Sequence, residues 1–132
     1  MEANANIEKL VKAAKEKEWE VVDKEIPNVC NDRTTVSWAY DKGIYDEDDN
    51  VRDLAVSILE KSRILVTRFD IMRPTIHRLM KIDHNNYVRY RAAFTLAAHG
   101  AGEFKKEVEQ VLHEAEEDPD VSEIAKQYLT RI

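Results

Sequence analysis

The chain has 132 residues, 35% of them charged, three of them glycine, and a net charge of −6. That length supports one domain with a core, and the composition favours an all-helical protein over a sheet-rich one. A single cysteine, Cys30, excludes an internal disulfide framework. The amino-terminal stretch MEANANIEKLVKAAKEKE is charged throughout and lacks the apolar run of a signal peptide. The longest stretch without Asp, Glu, Lys or Arg, residues 92–102, is far shorter than a membrane span. A cytoplasmic protein is expected.

Ile7, Leu10, Val11 and Ala14 fall at helical spacing, with Asn4 or Asn6 as N-cap. Trp19, Val22 and Ile26 start a second helix, which Pro27 should interrupt or bend. Asp32 caps a third carrying Val36, Ala39, Tyr40 and Ile44. The acidic loop DEDDN at 46–50 leads into a fourth, with Val51, Leu54, Ala55, Ile58 and Leu59 on one face. Thr67 to Asp70 resembles a capping box opening a fifth helix, and Pro74 predicts a kink or a fresh start within it. DHNN at 83–86 precedes a sixth helix over residues 87–98, ended by Gly100. Phe104, Val108, Val111, Leu112 and Ala115 mark a seventh, and residues 121–132 an eighth after the turn EEDPD. No domain boundary is visible.

Two of these helices repeat one another. Val51, Arg52, Ala55 and Leu59 recur 37 residues later as Val88, Arg89, Ala92 and Leu96. A weaker copy follows 33 residues on as Val121, Ala125 and Leu129, with Ser122 in the arginine's place. Three residues before each valine stands Asp48, Asn85 or Asp118. A period of this size marks stacked helix pairs, none of which buries its own apolar face alone. The small alanine allows close helix approach between its larger neighbours.

The pattern Asp/Asn-x-x-Val-Arg-x-x-Ala-x-x-x-Leu resembles the HEAT-repeat family, above all the short HEAT-like repeats of phycobilisome lyases. The match covers residues 32–132. Residues 1–31 resemble a degenerate first copy, in which Trp19 and Val21 fit but Glu25 replaces the alanine. The resemblance implies an all-α right-handed superhelix, a solenoid of four pairs forming one domain: 1–31, 32–64, 65–100 and 101–132. It also implies an ion-pair ladder, here Arg52 with Asp48 or Asp49, and Arg89 near Asn85 and Asp83.

Charge is unevenly spread. Residues 1–60 carry −7, residues 61–91 carry +6 and residues 92–132 carry −5. Either a basic layer is stacked between acidic ones, or the basic segment meets an acidic partner. No catalytic constellation emerges. The di-iron hydroxylases built on HEAT-like repeats use His-Glu pairs where this chain has Tyr90-Arg91, Asp53-Leu54 and Glu123-Ile124. The His113-Glu114 dipeptide ends a first helix and has no second copy. His77, His84, His99 and His113 lack zinc spacing, and Cys30 lacks a CxxC partner. The acidic run at 46–49 lacks the turn glycine and spacing of an EF-hand. No metal or cofactor is expected.

Tyr90 and Phe94 break the repeat pattern, since their counterparts are Asp53 and Ser57, and Glu123 and Gln127. With Arg91 they form a candidate partner-binding centre, Asp53 and Glu123 supplying an acidic rim. The alternative is that either ring folds into the core. The leading expectation is a non-catalytic adaptor, monomeric or weakly self-associating, that binds another protein. Nucleic-acid binding through residues 61–91, or a lyase-like accessory role involving Cys30 or a histidine, are the rivals. Net acidity weighs against nucleic acid, and no membrane partner is expected.

Overall fold

The structure is a computed structural model that describes residues 2–65 and 68–132, with the side chains of residues 2–4 outside the description. Among the described residues the chain is all-helical: α1 (Glu2–Lys15), α2 (Trp19–Val29), α3 (Arg33–Asp41), α4 (Asp49–Lys61), α5 (Phe69–Ile82), α6 (Asn86–His99), α7 (Lys105–Glu116) and α8 (Ser122–Arg131). Short 3-10 turns, Gly43–Tyr45 and Gly102–Phe104, precede α4 and α7. The chain divides into two compact units, Met1–Leu65 and Val66–Ile132. The division falls within a residue of the edge between the second and third copies.

In the first unit α1 packs on α2 and α4, and α3 packs on α4. Ile7, Leu10, Ala14, Val22, Ile26 and Val36 are buried, as their helical spacing requires. The helix begins before Asn6, which is therefore an interior residue and not a cap. At the far end, Lys17 N–H donates to Ala14 O and Glu18 N–H to Ala13 O, 3.0 and 2.9 Å. This crossed pair closes α1 with Lys17 in the left-handed region, at φ 59°. A Cβ is disfavoured there, so Lys17→Gly should stabilise the fold by about 1 kcal/mol. A rise in the urea midpoint checks it.

Pro27 does not interrupt α2, which runs on to Val29 and closes with Cys30 N–H on Ile26 O. The missing donor falls in the last turn, where little helix remains to be broken. Asp32 caps α3 as expected, its carboxylate accepting from Thr35 N–H and Thr35 Oγ1 at 3.0 and 2.9 Å. Ile44 is buried but lies in the 3-10 turn beyond α3. Gly43 in that turn lies against α4: a Cβ there would fall 2.6 Å from Ala55 Cβ and 3.1 Å from the Trp38 ring. The small residue shared by the repeats thus admits a neighbouring backbone. Gly43→Ala should cost on the order of 1 kcal/mol, read as a lower thermal midpoint.

In the second unit α5 packs on α6, α6 on α7 and α8, and α7 on α8. Thr67 lies outside the described residues, and Arg68 at the start of α5 makes no side-chain cap. Pro74 sits inside an unbroken α5. Gly100, at φ 125°, ends α6 through its N–H on Leu96 O at 2.8 Å. Residues 92–96 of α6 are all buried, so this helix is enclosed well beyond one apolar stripe.

The repeated polar position has one structural job. The side chains of Asp48, Asn85 and Asp118 each accept from the backbone N–H two residues on, at 2.8, 2.8 and 3.0 Å. At Asp48 and Asp118 the same residue's carbonyl also accepts from the valine N–H, at 3.1 Å in both. Asp46 and Asp83 add a second such turn immediately upstream, each at 2.9 Å. These loops fix the start of the next helix from within.

Val51, Ala55, Leu59, Val88, Ala92, Leu96 and Ala125 are all fully buried, and Val121 nearly so. Leu129 departs from the register. It is partly exposed, and Tyr128 takes the buried place. The last helix also starts later relative to its valine, which stands at the N-cap of α8.

Candidate functional site

The proposed centre at Tyr90, Arg91 and Phe94 is not an exposed anchor. Phe94 is fully buried, its ring stacked on Tyr128 of α8 at 5.4 Å between centroids. Tyr90 is 7% exposed and meets Tyr87 edge-on at 6.1 Å. Burial pushes the Tyr90 hydroxyl above its usual pKa, assisted by Glu114 and Asp118. Both rings are core of the second unit. Of the intended rim, Glu123 is exposed, whereas Asp53 in the first unit is buried, with Ser57 Oγ 3.4 Å from its carboxylate.

The two repeated arginines both reach backbone carbonyls. Arg52 Nη1 donates to the carbonyls of Asp46 and Glu47, at 3.0 and 3.1 Å, while the Asp48 carboxylate caps α4. Arg89 Nε donates to Met80 O at 3.1 Å, and its Nη2 meets Glu114 Oε2 at 3.2 Å. Both arginines tie a second helix to the chain before it through backbone carbonyls.

Within the second unit, cations of α5 and α6 meet acids of α7. Besides Arg89 and Glu114, Glu107 accepts from both His77 Nε2 (2.8 Å) and Lys81 Nζ (3.1 Å). The His77 ring stacks on Phe104 at 3.7 Å. The two donors hold the Glu107 carboxyl below its usual range. A depressed folded pKa means that this contribution is complete above the ordinary value of 4.5 and fades as pH falls through the folded one. Glu107→Gln should therefore melt below wild type at pH 7, the gap closing as acid is added below pH 4.5. Parallel melts at pH 7 and 3.5 would show it.

His113 Nδ1 pairs with Glu116 at 2.9 Å and not with its neighbour Glu114. Cys30 is buried with Sγ 4.0 Å from Pro27 O. Among the described residues no three metal-binding side chains come together, and no helix is long and apolar enough to cross a membrane. Tyr87 donates to Asp120 Oδ2 at 3.0 Å, and this bond, with partial desolvation and Asp118, pushes its pKa up to about 12. It is a structural strut between α6 and the turn before α8.

Two surfaces escape the sequence reading. In the first unit an open groove of ≈ 510 Å³ runs beside α1 and α3, with half-buried Trp38 at its floor. Glu8, Glu16 and Asp46 face Lys12 and Lys15 around it, with Ile7 and Val11 supplying apolar wall. In the second unit Ile71 and Ile82 are 74% and 60% exposed. They stand eleven residues apart on α5, off the buried register of Phe69, Met72, Ile76 and Met80. That misfit in spacing was the available signal. Trp38 gave none, because its burial depends on how closely Gly43 approaches.

Comparison with family models, curated proteins and solved structures finds no match for the chain. The likeness to HEAT repeats rests on the repeated residues alone.

Proposed function

We propose that the chain is a non-catalytic, HEAT-like interaction module that binds another protein. The observation that carries this reading is the Trp38 groove, an aromatic floor within a rim of both charge signs. Tryptophan is prominent among residues that anchor protein interfaces, and mixed rim charges set orientation and partner choice. A nucleic-acid surface would instead present a continuous run of cations. Several basic side chains in residues 61–91 are engaged locally, among them Lys61 with Glu60, Arg73 with Asp70, Lys81 with Glu107 and Arg89 with Glu114. A lyase-like role for Cys30 draws no support from a thiol buried under Pro27.

The test is affinity capture with the native chain, Trp38→Ala, and a Lys12→Glu/Lys15→Glu pair that leaves the aromatic floor intact. Both variants should lose the same captured protein while keeping native helical content. Retention of that protein by the lysine pair would sink the groove as the binding surface. Tight binding of duplex DNA or single-stranded RNA at physiological salt would promote the nucleic-acid reading.

A further inference from the structure

The outer face of α5 is a second, independent surface, and we propose that it docks an acidic amphipathic helix of another protein. The inference rests on the reading of the chain as a partner-binding module but uses a different face from the Trp38 groove. Ile71 and Ile82 are separated by three helical turns, about 16 Å, and point opposite to buried Phe69, Met72, Ile76 and Met80. Pro74 and Arg78 lie exposed between them. Two isolated surface isoleucines would need no explanation. Two on one line of one helix, with an arginine between, match the spaced anchors by which helices recognise helices.

Charge decides what covers the face. Arg78 is the exposed cation between the two isoleucines, and the nearby acids have partners of their own: Asp70 has Arg73, Asp83 the Asn85 N–H, and Glu107 both His77 and Lys81. Arg68 and Arg78 make no ion pair among the described residues. A complementary helix therefore carries apolar side chains about three turns apart and carboxylates between them, one of which meets the Arg78 guanidinium. A second copy of this chain fits less well. Antiparallel pairing would set Ile71 against Ile82 of the other copy but bring the two Arg78 side chains within about one turn of each other. Like charges so placed oppose association. One helix face buries less than a standard interface, so the contact is a weak, reversible one.

The experiment uses the whole chain and two fluorescein-labelled helical peptides, both with leucines three turns apart. One carries glutamates between the leucines, the other lysines. Native protein should bind the glutamate peptide saturably, weaken with added salt, and ignore the lysine peptide. Arg78→Glu should lower affinity for the glutamate peptide at least tenfold and gain affinity for the lysine one. Ile71→Asp with Ile82→Asp should abolish binding of the glutamate peptide. All three side chains are exposed, so melts should stay near wild type and a lost signal cannot be ascribed to unfolding. Equal binding of both peptides by native protein, or unchanged binding by the isoleucine pair, overturns the proposal. So does concentration-dependent dimerisation that the isoleucine pair removes, since it would assign the face to a second copy. If the glutamate peptide binds nowhere but capture through the Trp38 groove persists, this docking face falls and the functional reading stands.

Discussion

Phe94→Ala should lower the unfolding free energy by about 3–5 kcal/mol, the usual cost of emptying a buried aromatic site. The ring is fully buried and stacks on Tyr128, so its removal opens a cavity between α6 and α8 and strips one face of a second ring. Neighbours can collapse into such a space only in part, since α6 is held on its other sides by α5 and α7. Urea unfolding followed by circular dichroism would measure the loss. A surface anchor would behave otherwise, losing a partner while melting like wild type. An unchanged midpoint would return Phe94 to the surface and contradict the packing described above.

The opposite change, adding volume, should be nearly as damaging at Ala92. This residue is fully buried, with Val88 and Leu96 one turn away on either side also fully buried. Its methyl group marks a close helix contact, and leucine would force three further carbons into it. Overpacking of this kind costs about 1–3 kcal/mol, expected as a thermal midpoint several degrees lower. Gly43 against Ala55 shows the same principle in the first unit, where an added Cβ would fall 2.6 Å from the Ala55 methyl. An Ala92→Leu protein that melts like wild type would remove Ala92 from the repeat core.

The Val, Ala and Leu positions of the first two copies were legible because period and size select them together. The Asp32 cap was legible from residue type. The conserved polar class at Asp48, Asn85 and Asp118 was visible too, though its role as a two-residue side-chain turn emerges only with the backbone. Phe94 stayed open between anchor and core because the matching places hold Ser57 and Gln127, and a polar column suggests a surface. Ser57 is itself buried, near Asp53, so polarity in that column does not report exposure. A helix packed against three others buries more of its circumference than periodicity indicates. Pro27 and Pro74 read as breaks or bends, and neither ends its helix, Pro27 falling only in the last turn of α2. In the last copy, Leu129 gives way to Tyr128, and α8 starts later against its valine.

Cys30 has a practical consequence. It is the single thiol in these 132 residues and is 4% exposed at the end of α2. A thiol reagent cannot reach it until that end of the helix swings out, so the native chain carries its own opening clock. Labelling rates at fixed reagent would report transient excursions of the first unit alone, with no engineered probe and no competing signal from the second. Comparing that rate with global unfolding would show whether the two units open together or separately.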